Sequence, residues 1–183
     1  MNPMDAAAAK KCVDKLLARR EPGLLVPKGP WNDELQRQIG ALDPGKDPNA
    51  LALKAALLLW NDDLDGCHTI AQDLDDPHGA YLHGVMHRRE PDYGNSKYWF
   101  RRVGAHPLFP QLRKAALDLL SDAPTSDPYK GALEKNPDWD AFRMVDWCES
   151  AAEEREVSFL RALQAMEIQG LTYYWRDRWS HRA

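Results

Sequence analysis

Pairs of a capping residue and a proline recur between the apolar segments of this chain, and they constrain its fold most. Asp47 precedes Pro48, and Asp76 precedes Pro77. Each pair joins a residue type that caps helices to the type favoured at the first helical position. The apolar residues that follow recur at helical spacing, and no stretch shows the period of two that a half-buried strand requires. The sequence therefore predicts an all-α fold of antiparallel helical hairpins.

The same signals divide the chain into segments joined by short turns. The central helices are predicted over 48–60, 63–75, 77–89 and 93–103. A length of 183 residues suits one domain with a core, so we predict a single domain over 1–183. It comprises a hairpin core over 31–121, a linker loop over 122–136 and a C-terminal helical hairpin over 137–183, with a helix break near 150–154.

Composition and charge exclude several classes of function. A net charge of -4 disfavours nucleic-acid binding, because neutralising phosphates requires a basic surface. The sequence contains no apolar run long enough to span a bilayer, so we expect no membrane insertion. The three cysteines are odd in number and widely separated, which indicates reduced thiols and a cytoplasmic location.

A shift of 29 residues aligns the two central helix pairs without a gap. It matches Leu53 with Leu82, Ala55 with Gly84, Leu57 with Met86, Asp63 with Asp92, Leu64 with Tyr93, Cys67 with Ser96, Ala71 with Phe100 and Leu74 with Val103. Such agreement in size and polarity is typical of stacked helical hairpins. A small residue at Gly84 predicts a close approach by the next helix.

The second unit, GAYLHGVMHRREPDYGNSKYWFRRVGAHP, resembles the SEL-like repeat, a short relative of the tetratricopeptide repeat. The resemblance lies in Ala80, Leu82, Gly84, Asp92 with Tyr93, and the aromatic and basic run 98–102, and it extends over 51–107. It implies a scaffold or adaptor role. The period is shorter than the ~34 residues of the tetratricopeptide form, and only two units are present. Strings within this unit are also similar to proteins of unknown function.

Three histidines form a candidate metal site. His83 and His87 are four residues apart, so they share one helix face. In an antiparallel pair that turns at Asp76, His68 lies level with His83, and Asp65 lies level with His87. Three imidazoles and a carboxylate suit a divalent metal such as zinc. The alternative is that the histidines are hydrogen-bonded core residues.

The metal site would support a hydrolase only if a general base lies beside it. Glu90 and Asp62 are the two candidates, and the sequence does not select between them. The cofactor prediction is accordingly either none or a divalent metal such as zinc.

Basic and aromatic residues within 77–103 form a candidate ligand-binding surface. Its members are Arg88, Arg89, Tyr98, Trp99 and Arg102. Guanidinium groups beside aromatic rings suit a phosphate, a carboxylate or an acidic peptide. The alternative is that the arginines form salt bridges with Glu90, Asp92 and the acidic turn at 73–76.

The leading functional hypothesis is a non-enzymatic helical module that binds a protein partner or a small acidic ligand through the 77–103 surface. The alternative is a metal-dependent hydrolase or metal-binding protein that uses His68, His83 and His87. Trp175 and Trp179 share one face of the last helix. They are expected to pack against the body of the protein or against a second copy, which would give a homo-oligomer.

Overall fold

A computed structural model describes residues 4–180, apart from the side chain of His78. The described residues form ten helices and no strand, which confirms the predicted all-α class. The helices are α1 (Ala6–Leu17), α2 (Asp33–Gly40), α3 (Pro48–Trp60), α4 (Leu64–Ala71), α5 (Pro77–Arg89), α6 (Tyr93–Val103), α7 (Phe109–Leu119), α8 (Pro128–Lys135), α9 (Ala141–Ser150) and α10 (Glu154–Ser180). The ends of the predicted 1–183 domain, residues 1–3 and 181–183, lie outside the described residues.

The capping signals in the sequence start the central helices where predicted. The carboxylate of Asp47 accepts hydrogen bonds from the backbone N–H groups of Asn49 and Ala50, at 2.8 and 3.2 Å. Pro48 then occupies the first turn of α3, where its missing N–H has no helical partner to lose. Helices α3, α5 and α6 have the predicted bounds, and α4 ends at Ala71, a few residues earlier than predicted.

Helix α3 lies at the centre of the molecule. Its residues are apolar nearly all round the helix, and they are covered by α10, α4 and α5. Helix α5 packs in turn between α4 and α6, so the two central helix pairs lie side by side. The functional candidates on α4, α5 and α6 therefore lie on helices that pack around the buried central helix.

Positions matched by the 29-residue shift are similarly placed in the two pairs. Asp63 caps α4 by accepting from the Gly66 N–H at 2.9 Å, and Asp92 caps α6 by accepting from the Asn95 N–H at 3.1 Å. Both members are buried in the matches Leu53 with Leu82, Ala55 with Gly84, Leu57 with Met86, Cys67 with Ser96, Ala71 with Phe100 and Leu74 with Val103. The two pairs therefore direct equivalent positions towards the core.

The C-terminal third departs from the predicted organisation. The segment 122–136, interpreted as a linker loop, contains helix α8. The predicted break at 150–154 is present, because α9 ends at Ser150 and α10 begins at Glu154. These two helices do not form the expected hairpin, because they make little contact with each other. Helix α9 packs mainly on α6, and α10 packs mainly on α3.

The aromatic residues of α10 pack within the chain. Trp175 and Trp179 are both buried against the rest of the protein, so the intramolecular interpretation of these residues holds. Among residues 4–180, no helix combines the length and the apolar character needed to cross a bilayer.

Candidate functional site

The three histidine side chains meet where α4 packs on α5. The ring centroid of His68 lies 5.2 Å from that of His83 and 5.5 Å from that of His87. The rings of His83 and His87 are stacked with their centroids 5.8 Å apart. This confirms the hairpin geometry predicted by counting residues outwards from Asp76.

Hydrogen bonds fix the orientation of two of these rings. His83 Nδ1 lies 2.9 Å from the carbonyl oxygen of Gly79, which can only accept, so Nδ1 carries the proton in the neutral ring. His87 Nδ1 lies 3.1 Å from a carboxylate oxygen of Glu90, and its Nε2 lies 3.2 Å from the amide nitrogen of Asn95. In both rings Nδ1 is therefore the donor and Nε2 the acceptor.

Burial favours the neutral forms of the two buried rings, His83 and His87. His83 and His87 are buried and His68 is partly exposed. The pKa of His83 is lowered to about 4. Burial is the largest cause, and the nearby His68, His87 and Arg102 act in the same direction, whereas the hydrogen bond to Gly79 raises the pKa. Burial also lowers the pKa of His87, against the opposing effect of Glu90.

The carboxylate that contacts the cluster is Glu90, which accepts from His87, and no hydrogen bond within the described chain joins the predicted ligand Asp65 to the three rings. Asp65 is exposed and lines a neighbouring cleft together with Asp63, Glu90 and the loop at 27–30. Within residues 4–180, no three or more His, Cys, Asp or Glu side chains are arranged as a group that could hold a metal ion. The three imidazoles are thus brought together, but with Asp65 they do not form a metal-binding group in the described part of the chain.

Helix α6 extends the cluster with aromatic and basic groups. The indole of Trp99 stacks on the His83 ring, with centroids 4.0 Å apart and planes inclined by 11°. The guanidinium of Arg102 lies over Trp99 at 5.2 Å, and its NH1 donates to the Tyr98 hydroxyl at 3.4 Å. Tyr98 and Arg102 are exposed. We call this group of side chains the imidazole–aromatic patch: it comprises the buried His83 and His87, the partly exposed His68 and Trp99, and the exposed Tyr98 and Arg102.

Arg88 and Arg89 do not belong to this surface, which corrects the prediction that they bind ligand there. Arg88 is buried and pairs with Glu167 of α10. Arg89 is also buried; it donates to the backbone oxygen of Leu59 at 2.6 Å and pairs with Asp62. Both arginines form ion pairs, as the alternative interpretation expected, but with partners other than those the sequence suggested.

Gly84 allows α6 to approach α5 closely enough for the stack on His83. A Cβ atom at this position would lie 2.9 Å from the Phe100 ring. The Ser96 hydroxyl donates to the Gly84 carbonyl oxygen at 2.6 Å. The space predicted beside Gly84 is therefore filled by Phe100. The roles of Asn95 and of the Gly79 carbonyl were missed, because neither residue type carries a sequence signal for orienting an imidazole.

The depressed pKa of His83 predicts that the protein loses stability in mild acid. The unfolded state binds a proton near pH 6.5, whereas the folded state does not until about pH 4. Over that range the unfolded state binds more protons, so the free energy of unfolding should fall as pH falls, with a slope approaching about 1.4 kcal/mol per pH unit from this residue. Urea denaturation of the wild type and of His83→Gln between pH 7 and 5 measures the difference. Parallel pH dependences in the two proteins would contradict the prediction.

Comparison of the chain with known protein families, with curated proteins and with solved structures finds no match. The function of the patch must therefore be inferred from the chemistry of its own side chains. Two buried imidazoles are held in known orientations, one imidazole is partly exposed, and an exposed guanidinium lies beside two aromatic rings.

Proposed function

We propose that this chain is a non-enzymatic helical module that binds a carboxylate group through the imidazole–aromatic patch. The carboxylate belongs to a small acidic ligand or to an acidic segment of a protein partner. The observation that carries the proposal is the series of ring contacts from His83 to Trp99 and from Trp99 to Arg102. The guanidinium of Arg102 therefore lies on the indole of Trp99, and this indole stacks on the buried ring of His83.

Arg102 is the group suited to bind the carboxylate. Its guanidinium is exposed, and its hydrogen bond to Tyr98 is long, at 3.4 Å, which leaves donors for a bidentate contact with a carboxylate. Trp99 and Tyr98 offer apolar contact to the carbon atoms next to that carboxylate. The neutral state of His83 avoids the cost of burying a second positive charge at the same place.

Paired variants of adjacent arginines test this proposal. Removing a charged hydrogen bond weakens binding by about tenfold, so Arg102→Gln should raise the Kd for succinate by that factor. Arg101→Gln is the matched control, because Arg101 is exposed but lies over Phe142, 5.8 Å from its ring centroid, and not over the patch. Isothermal titration calorimetry measures both variants.

A glutamate-rich peptide, titrated in the same way, distinguishes the two sources of the carboxylate. Tighter binding of the peptide identifies a protein partner, and tighter binding of succinate identifies a small ligand. Equal effects of the Arg102 and Arg101 substitutions, or no binding of either probe, would contradict the proposal.

A second candidate function is metal binding, or metal-dependent hydrolysis, at His68, His83 and His87. The observation that favours it is that His83 and His87 both direct Nδ1–H to an oxygen acceptor. Histidines that bind metals are oriented in this way, with Nε2 as the ligand. A zinc ion would displace the Asn95 amide from His87, and Glu90 would serve as the nearby base.

Elemental analysis of the purified protein tests this second function. Near-stoichiometric zinc, iron, nickel or manganese would support this function, and His83→Ala should then abolish its uptake. Gln72→Ala serves as the control, because Gln72 is an exposed residue at the end of α4. A protein that contains no metal and takes up no zinc in a calorimetric titration would exclude the metal function.

Two further aspects of the proposal have structural support. Cys12, Cys67 and Cys148 are free and buried, which suits the reducing cytoplasm. The matched caps Asp63 and Asp92, together with the matched buried positions of the two central helix pairs, support a SEL-like arrangement. An adaptor role of the kind implied by that resemblance agrees with a binding surface on α5 and α6.

A further inference from the structure

A cavity of about 300 Å³ lies outside the imidazole–aromatic patch, between the end of α1, the connector that follows it and α10. Three arginines line it, namely Arg19, Arg20 and Arg89, together with the carboxylates of Asp62 and Glu21. Its volume lies at the lower end of the ~300–1,000 Å³ typical of small-molecule sites. The side chains around it therefore decide which ligand it suits.

The lining carries an excess of positive charge. Asp62 is the only described carboxylate paired with Arg19, at 2.8 Å, and it is also paired with Arg89. One carboxylate is thus shared by two guanidiniums. Arg20 is exposed, and no hydrogen bond or ion pair joins it to another residue of the described chain. Glu21 offsets only part of this charge, since three cations face two anions.

Two of the three arginines, Arg19 and Arg89, are held in place by Asp62. Arg89 is buried, and its Nε has no hydrogen-bond partner among the described residues. Arg161 of α10 holds the connector in place by donating to the carbonyl oxygens of Pro22 and Gly23, at 2.5 and 3.1 Å. A ligand anion therefore meets a partly preorganised site, because Asp62 fixes Arg19 and Arg89, whereas the exposed Arg20 becomes ordered when it binds the anion.

Apolar side chains also line the cavity. Leu17 is 47% exposed and Met166 is 43% exposed, and they are among the few large apolar residues at the surface of the described chain. Both contribute to the lining beside the arginines. Exposed apolar groups next to unneutralised cations suit a ligand with an acidic head and an apolar tail.

We propose that this cavity binds a small organic carboxylate with a short apolar tail. The carboxylate binds the exposed guanidinium of Arg20 beside Arg19, the buried charge of Arg89 adds to the positive potential, and the tail lies against Leu17 and Met166. This site is independent of the imidazole–aromatic patch, and neither requires the other.

Calorimetric titration with octanoate tests the site, with octan-1-ol as the probe that has the tail but no charge. Octanoate should bind at least about tenfold more tightly than octan-1-ol, because only octanoate offers a charged acceptor to the arginines. Arg20→Gln should weaken octanoate binding by about tenfold without disturbing the fold, because Arg20 has no structural partner. Arg37→Gln, which removes an exposed arginine of α2 outside the cavity, should leave the affinity unchanged.

A second variant tests the location independently of charge. Ala165 lines the cavity and is partly buried, so Ala165→Phe should fill the space and abolish octanoate binding. Thermal unfolding confirms that each variant is folded. The proposal is overturned if octanoate does not bind, if octan-1-ol binds equally well, if inorganic phosphate binds in place of octanoate, or if neither Arg20→Gln nor Ala165→Phe changes the affinity.

Discussion

Replacement of Glu167 by alanine should lower the free energy of unfolding by about 3–5 kcal/mol, because it leaves Arg88 as an uncompensated charge in the core. Both side chains of this ion pair are 1% exposed. Glu167 also accepts a hydrogen bond from the Tyr81 hydroxyl at 3.2 Å. Burial raises the pKa of Tyr81 well above its usual value, so the hydroxyl remains a donor, and it too loses its partner in the variant.

Chemical denaturation of Glu167→Ala and of the matched variant Glu149→Ala measures this effect. Glu149 is an exposed residue of α9, and its replacement should change stability by no more than about 0.5 kcal/mol. A loss in Glu167→Ala as small as that in Glu149→Ala would show that the pair between α5 and α10 does not contribute to the fold.

Replacement of Gly84 by leucine should destabilise the protein by about 1–3 kcal/mol through overpacking. Even a single Cβ atom would lie 2.9 Å from the ring of Phe100, so α6 must move away from α5 to admit a larger side chain. That movement would also separate Trp99 from His83, whose centroids are 4.0 Å apart, and so disturb the patch.

Gly94→Leu is the matched control, because a Cβ atom at Gly94 would meet nothing within 4 Å. Denaturant midpoints of the two variants, measured side by side, separate crowding from the general effect of replacing a helical glycine. Equal midpoints would contradict the close contact of α5 with α6.

The helix boundaries could be predicted because their causes are local. Asp47 with Pro48 and Asp76 with Pro77 begin α3 and α5, and a carboxylate that caps the next backbone N–H groups needs no distant partner. The proximity of His68 to His83 was also predictable, because a short turn fixes the register of an antiparallel helix pair. The same local signal was present in Asp127 and Pro128 at the start of α8, where the prolines of the surrounding segment led to the prediction of a loop.

The environments of Arg88 and Arg89 could not be predicted, because their causes are distant. Glu167 is 79 residues from Arg88, and Asp62 is 27 residues from Arg89. Two consecutive arginines that follow His83 and His87 are predicted from the sequence to lie at the surface. Their burial becomes apparent only from the positions of α10 and of the turn after α3. For the same reason only three of the five residues predicted for the ligand surface, Tyr98, Trp99 and Arg102, lie there.

Chemical-shift mapping with succinate tests the central claim, that the imidazole–aromatic patch is the binding surface, most directly. We expect the largest changes in the ¹H–¹⁵N spectrum at the indole N–H of Trp99 and at the backbone N–H groups around Arg102, and these changes should saturate and be lost in Arg102→Gln. Changes concentrated instead on residues outside α5 and α6, or the same changes in Arg102→Gln, would contradict the claim.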